Sequence, residues 1–117
     1  MKLFDSELKV MDVLWKEGEV TAKHISDELK GSIGWNINTT YTVIKRLIAK
    51  KAIERREPNF LCRALIEKSE VQAAETDELI DRVFDGSADK LFASLLSRKR
   101  LSPEQIARLK HLVDELE

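Results

Sequence analysis

Apolar residues recur every three or four positions in three segments of the first half of the chain, which predicts three short helices. The apolar positions of the first two segments are Leu8, Met11, Leu14 and Trp15, then Ala22, Ile25 and Leu29. Gly18 supplies a stop after the first helix, while Thr21 caps the second helix, which is predicted to end at Gly31. A turn from Gly31 to Gly34 then leads into the third segment.

The third predicted helix, which Asn36 can cap, has two chemically different faces. One face is mainly apolar and gathers Thr40, Val43, Ile44 and Leu47. At 100° per residue the other face carries Asn38, Tyr41, Thr42, Lys45 and Arg46. We expect the first face in the core and the second in contact with solvent or a partner.

The periodicity changes after Ala52, where two short segments flank a turn pair. Residues 53–57 and 60–65 predict two strands, with Pro58-Asn59 as the turn between them. Three helices followed by a basic hairpin are the element order of a winged helix-turn-helix, in which the third helix reads DNA. The prediction is a mainly α fold with a small β-hairpin wing, and a DNA-binding domain over residues 1–68.

Residues 69–117 are helical in pattern throughout and predict a C-terminal dimerisation arm, with helices over 69–84 and 87–99 before the last one. The last helix is the clearest, because Ser102 can cap it and Pro103 suits its first position. An arm of this size rarely closes a sufficient core alone, so we expect it to cover its apolar seam with a partner surface.

Two surfaces could cover the arm: the winged helix of the same chain, or the same arm of a second chain in a two-fold interface. The homodimer is favoured, because one short reading helix makes too few base contacts for a specific site. The residues expected at the dimer interface are Leu91, Leu95, Ile106, Leu109, Val113 and Leu116.

The net charge of -1 hides an uneven distribution. Residues 36–66 carry seven Lys or Arg against two acids, for a net of +5, whereas residues 1–35 carry -2 and residues 67–117 carry -4. The basic stretch indicates a polyanion partner such as double-stranded DNA. The expected DNA contacts are Asn38, Thr39, Tyr41, Thr42, Lys45, Arg46, Lys50, Lys51, Arg55 and Arg56.

Within this set the amide, hydroxyl and methyl groups suit base edges, while the lysines and arginines suit phosphates. The alternative is an ordinary solvated helix face. Thr and Asn are poor helix formers, however, and a face selected for stability would favour Ala, Glu or Lys. Two rival functions stay open: a winged-helix module that binds an acidic protein, and a DNA-binding activator or architectural protein.

The chain lacks the residue groupings that are typical of enzymes and metal sensors. His24 and His111 lie far apart, and neither belongs to a catalytic or metal-ligand motif, so no catalytic residue, metal or cofactor is expected. Cys62 is interpreted as a half-buried packing residue, with a redox switch as the alternative. No apolar run approaches a membrane span and the start lacks a signal peptide's core, which predicts a cytoplasmic, nucleoid-associated protein.

The sequence resembles the penicillinase-repressor family, the BlaI/MecI/CopY group of winged-helix regulators. The matching residues are Glu7-Leu8, Leu14-Trp15, Thr21-Ala22, Trp35, Thr39, Thr42, Arg46-Leu47, Lys50-Lys51, Arg63, Val83-Phe84-Asp85-Gly86-Ser87 and Leu101-Ser102-Pro103-Glu104. The resemblance implies a homodimeric repressor that binds a palindromic operator and controls resistance, stress or metal-response genes. It also implies that Asn38 and Thr39 meet bases, while Thr42 and Arg46 grip the DNA backbone.

Three departures from the family pattern limit these implications. The chain has no paired Cys-x-Cys motif near its C-terminus, so copper sensing is not expected. Ser94-Leu95 stands where the β-lactam branch is cleaved at an Asn-Phe bond, which leaves induction by a sensor protease open but unsupported. Asn38 replaces a basic residue of the reading helix, and this predicts a different operator half-site.

Overall fold

The computed structural model describes residues 1–116 and shows six helices and a three-stranded antiparallel sheet in that range. The helices are α1 (Asp5–Glu17), α2 (Ala22–Ile33), α3 (Ile37–Ala49), α4 (Lys68–Val83), α5 (Ala88–Ser97) and α6 (Pro103–Asp114). The strands are β1 (Val20–Thr21), β2 (Ile53–Arg56) and β3 (Leu61–Ala64), and β3 lies in the middle. The predicted mainly α fold with a small hairpin is confirmed.

The chain divides into two compact units, Met1–Glu75 and Thr76–Glu117. The division falls inside α4, later than the boundary expected after residue 68, which stays a prediction. The first unit contains every buried side chain found among the described residues, and none of residues 76–116 is buried. The two units therefore differ in kind: the first has its own core, and the second consists of helices whose apolar side chains all remain partly exposed.

In the first unit, α1, α2 and α3 pack around a single apolar core. The predicted inner face of α3 is confirmed, because Thr40, Val43, Ile44 and Leu47 are all buried. Cys62 is fully buried rather than half-buried, and burial raises the pKa of its thiol to about 11. Reactive thiols are exposed and have lowered pKa values, so the structure favours the packing interpretation of Cys62.

The second helix is longer than expected. It continues through Gly31 to Ile33 and ends at Gly34, whose φ of 75° and ψ of 19° lie in the left-handed region. Glycine has no Cβ to clash in this conformation, so Gly34 terminates α2 and the prediction of an end at Gly31 is wrong.

Strand β1 was not expected from the sequence. Val20 pairs with Cys62 and Thr21 with Leu61, so the segment between α1 and α2 becomes the third strand of the wing sheet. Two residues are too few for an alternating pattern to be recognised. The consequence is that the half of β3 next to the wing turn is fixed to the segment between α1 and α2.

In the second unit, α6 begins with the predicted capping box. Ser102 Oγ accepts a hydrogen bond from the Gln105 amide at 3.1 Å, and Gln105 Oε1 accepts one from the Ser102 amide at 2.8 Å. The helix ends at Asp114, so Leu116 of the expected seam lies beyond it and is 76% exposed. No helix within residues 1–116 has the length and apolar character needed to cross a membrane.

Candidate nucleic-acid interface

The outer face of α3 presents unpartnered polar groups at the start of the helix. Asn36 caps α3 by accepting a hydrogen bond from the Thr39 amide at its Oδ1, 2.9 Å away. Asn38, Thr39 and Lys45 are exposed, and no hydrogen bond or ion pair occupies their side chains within the described part of the chain. Because these groups need not break an internal contact first, they are available to an external ligand.

A shallow pocket of about 420 Å³ lies between the start of α1 and the outer face of α3. It is lined by Ser6, Asn36, Asn38, Thr39, Thr42, Val43 and Arg46. Arg46 donates from Nη2 to Ser6 Oγ at 3.2 Å, which places a guanidinium beside two threonine hydroxyls and two amides. Thr42 Oγ1 already donates to the Asn38 carbonyl at 2.8 Å, so the guanidinium, the Thr39 hydroxyl and the amide groups are the donors that suit a phosphate oxygen. Nothing in the local sequence pattern indicates Ser6, because its contact with Arg46 spans 40 positions.

Glu7, in the first turn of α1, is a fully buried carboxylate next to the C-terminal half of α3. Its Oε1 accepts hydrogen bonds from the Phe4 amide at 2.8 Å and from Lys50 Nζ at 2.7 Å, and its Oε2 lies 3.5 Å from Arg46 Nε. Burial raises the pKa of Glu7, but these hydrogen bonds and the two positive charges outweigh burial, so the pKa is lowered overall. Glu7 is therefore ionised at neutral pH and ties α1 to α3.

The ammonium group of Lys50 is engaged by contacts within the protein instead of being free for a DNA phosphate. Besides pairing with Glu7, its Nζ donates to the Lys2 carbonyl at 3.2 Å and lies 4.6 Å from the centre of the Phe4 ring. The side chain is only 28% exposed. The role of Lys50 in DNA contact stays a prediction, and its geometry favours a structural role instead.

Tyr41 also differs from the other residues of the expected reading face. It is half-buried, and its ring meets that of Phe60 edge-on, with the centroids 5.7 Å apart. The tyrosine therefore joins α3 to the end of the wing turn. Its contact with DNA stays a prediction.

The arginines of the wing are paired with acids. Arg56 and Arg63 both bind Glu54, and Arg55 pairs with Glu57 while its guanidinium carbon lies 3.6 Å from the centre of the Phe60 ring. Arg63 was not among the expected DNA contacts. Its position was a signal, however, because Arg63 follows the buried Cys62 on the second wing strand and so lies on the opposite, outer face. Lys51 follows α3, is exposed and adopts a left-handed φ of 65°.

One cluster has donor atoms that could hold a metal ion. Glu17, His24 and Glu28 each bring a ligand atom within 4.8 Å of the other two. His24 Nε2 lies 2.8 Å from Glu17 Oε1, and this hydrogen bond raises the pKa of the imidazole. The contacts are those of an exposed ion pair. The cluster is not recognisable from the sequence, because Glu17 lies in α1 whereas His24 and Glu28 lie in α2.

Only some of the residues expected at the dimer interface line the apolar groove of the second unit. An apolar groove of about 470 Å³ is lined by Phe92, Leu96, Leu101, Ile106, Leu109, Lys110, Val113 and Asp114. Ile106, Leu109 and Val113 were expected there. Helix α5 contributes Phe92 and Leu96 to this groove, whereas the expected Leu91 and Leu95 are half-buried outside it.

Sequence comparison finds relatives that extend over nearly the whole chain. The pattern of the penicillinase repressor family matches residues 3–115. The methicillin resistance regulatory protein MecI of Staphylococcus aureus (strain N315) is 25% identical over 116 residues, which cover 97% of this chain and 94% of MecI. The penicillinase repressor of Bacillus licheniformis is 26% identical over 116 residues, which cover 97% of this chain and 91% of that repressor.

Two solved structures share the fold. The solution structure of the DNA-binding domain of the repressor BlaI matches with a TM-score of 0.55 and 30% identity, over 59% of this chain and 87% of that domain. Monomeric Bacillus licheniformis BlaI in complex with the blaP half-operator matches with a TM-score of 0.54 and 29% identity, over 60% of this chain and 88% of that one. These matches confirm the winged-helix fold and the expectation of a repressor rather than an enzyme. The chain belongs to the penicillinase repressor family of DNA-binding transcriptional repressors.

Proposed function

We propose that this repressor is a cytoplasmic, nucleoid-associated homodimer that binds a palindromic operator and controls resistance, stress or metal-response genes. The observation that carries the proposal is the outer face of α3, where Asn38, Thr39 and Lys45 are exposed and unpartnered beside the pocket of Ser6 and Arg46. A helix face with this chemistry suits the major groove, in which all four base pairs are distinguishable.

Five residues of α3 have proposed tasks. Asn38 and Thr39, at the start of α3, meet base edges, because reading helices of this class contact bases with their N-terminal residues. Thr42, Lys45 and Arg46 contact phosphates and fix the register without reading sequence. Repression follows from occlusion: a dimer bound across a promoter, with half-sites a multiple of about 10 bp apart, blocks the polymerase.

The exposed apolar side chains of the second unit support the proposed homodimer. Its large apolar side chains include Phe92, Leu96 and Val113, which are 48%, 52% and 63% exposed. A helical unit without a buried side chain gains little from the hydrophobic effect until another surface covers it. A second copy of the same unit provides a self-complementary surface and links two reading helices.

Relief of repression by a sensor protease stays a hypothesis. The bond in question, Ser94-Leu95, differs from the Asn-Phe bond of the β-lactam branch and lies within α5.

The test of DNA binding is a selection from random duplexes followed by binding measurements over a salt series. We expect a palindromic consensus, and an affinity that falls on the order of a thousandfold between 50 and 200 mM salt if the dimer neutralises about six to eight phosphates. A flat salt response and no selected sequence would instead favour the protein-interaction module. A consensus that lies outside promoters would favour an activator or architectural protein.

Base reading and phosphate contact are separated by two substitutions on the same helix. Asn38→Ala is expected to erode discrimination at one base pair by about 1 to 3 kcal/mol, because it removes a base contact. Lys45→Ala, the matched control, is expected to weaken binding to operator and random duplexes alike and to reduce the salt slope. Fluorescence anisotropy on both duplexes measures these effects. Equal losses on the two duplexes for Asn38→Ala would contradict its proposed role.

A further inference from the structure

The outer face of the wing sheet gathers two arginines around one carboxylate. Glu54 in β2 stands opposite Arg63 in β3, and Arg56 follows two residues later on the same face of β2. Glu54 Oε1 accepts a hydrogen bond from Arg56 Nε at 2.7 Å, and Glu54 Oε2 accepts one from Arg63 Nη2 at 2.9 Å. Each carboxylate oxygen thus has its own guanidinium.

These pairs change the charge that the wing presents. Residues 53–64 contain three arginines and two glutamates, for a net of +1. Glu19, in the turn before β1, brings its Oε2 within 3.9 Å of Arg56 Nη1 and adds a further negative charge. The wing surface is therefore close to neutral, although it belongs to the most basic stretch of the sequence. By contrast, Lys45 on α3 has no acid beside it within residues 1–116.

We propose that Glu54 is an intramolecular competitor for DNA phosphates, which occupies the guanidiniums of Arg56 and Arg63 and thereby limits the affinity of the wing for every DNA sequence. The inference rests on the proposed function. It adds one residue that weakens DNA binding to the set of residues that promote it. A carboxylate and a phosphate offer a guanidinium the same kind of charge-assisted hydrogen bond, so they compete for it. Phosphate contacts are independent of sequence, so the competition acts on operator and random DNA together.

The competition is partial, because the pairs are exposed. The side chains of Arg56 and Arg63 are 49% and 45% exposed, and ion pairs in such positions are weak and exchange readily. A phosphate can thus displace Glu54 without unfolding the hairpin. The hydrogen bonds from Arg56 and Arg63 also lower the pKa of Glu54, so the competitor stays ionised at neutral pH.

Glu54→Gln tests the inference as a gain of affinity, which a damaged fold would not produce. We expect the variant to bind operator and random duplexes roughly three- to tenfold more tightly at 50 mM salt, with a salt slope steeper by about 0.9 for each recovered phosphate contact. Anisotropy titrations of the full chain provide both quantities. Glu28→Gln is the matched control: it removes the same charge from an exposed side chain on α2 that lies 3.9 Å from His24 Nε2 rather than beside an arginine, and we expect no more than about a twofold change.

Two further variants make the result specific to the wing. Glu54→Thr, which suits a strand, is expected to show the same gain, and placing Glu54→Gln in an Arg56→Gln, Arg63→Gln background is expected to abolish it. The inference is overturned if wild type binds duplex DNA and Glu54→Gln binds no more tightly than Glu28→Gln. A wild-type protein that binds no duplex would overturn the proposed function itself, so the two failures are distinguishable.

Discussion

Leu109→Asp is expected to dissociate the proposed homodimer into monomers and to weaken operator binding by at least about a hundredfold. Leu109 lines two apolar grooves in the described part of the second unit, one shared with Ile106 and Val113 and the other with Leu112. A carboxylate at the centre of an apolar interface is desolvated without a partner, which opposes association. Once the dimer is lost, binding of one reading helix no longer raises the effective concentration of the other at the second half-site. This avidity increases affinity by about 10² to 10⁴.

Sedimentation velocity and operator titration together measure this effect. Ala107→Asp is the matched control, because helical spacing places residue 107 on a different side of α6 from Leu109 while the introduced charge is the same. We expect the Ala107 variant to remain dimeric and to bind normally. A dimer that survives Leu109→Asp unchanged would place the interface elsewhere on the protein.

Glu7→Gln is expected to destabilise the first unit by about 2 kcal/mol, the range for a buried hydrogen bond between charged groups. The amide keeps the shape of the side chain but loses the charge that holds Lys50 at 2.7 Å and Arg46 at 3.5 Å. The ammonium of Lys50, which is mostly covered, would then lack its counter-charge. Because Arg46 also lines the α3 pocket, we expect a smaller, secondary loss of DNA affinity.

Urea unfolding followed by tryptophan fluorescence isolates this effect, since both tryptophans, Trp15 and Trp35, lie in the first unit. Asp5→Asn, an exposed acid in the same turn of α1, is the control, and its expected cost stays below about 1 kcal/mol. Folding lowers the pKa of Glu7, so its contribution is present at neutral pH and is lost as the pH falls through the folded-state pKa. The difference between wild type and variant should therefore shrink in acid. A difference that is constant with pH would contradict the ionic role of Glu7.

Local patterns were sufficient for most of the helical framework. The inner face of α3 was predictable because Val43, Ile44 and Leu47 follow the helical period and the core simply covers that face. The cap of α6 was predictable because Ser102 and Gln105 lie within one turn of each other. In both cases the stabilising contact joins residues that are close in sequence.

The features that the sequence did not reveal depend on contacts between distant segments. Glu7 and Lys50 are 43 positions apart, and a glutamate in the first turn of a helix is ordinarily a solvated residue. Tyr41 belongs to the polar face by helical spacing, and only the approach of Phe60 from the wing shows that it is partly covered. Gly31 was mistaken for a helix end because glycine tolerates both helical and turn conformations, and the backbone angles of Gly34 decide between them.

The burial of Cys62 has a practical consequence for spectroscopy of this repressor. It is the only cysteine of the chain, and a thiol that is fully covered and has a pKa of about 11 contains almost no thiolate at neutral pH. Maleimide and iodoacetamide dyes react with thiolates, so the folded wild-type protein should resist labelling. A cysteine introduced at an exposed site can then carry a fluorophore without removal of Cys62, which makes distance measurements between the subunits of the proposed homodimer accessible.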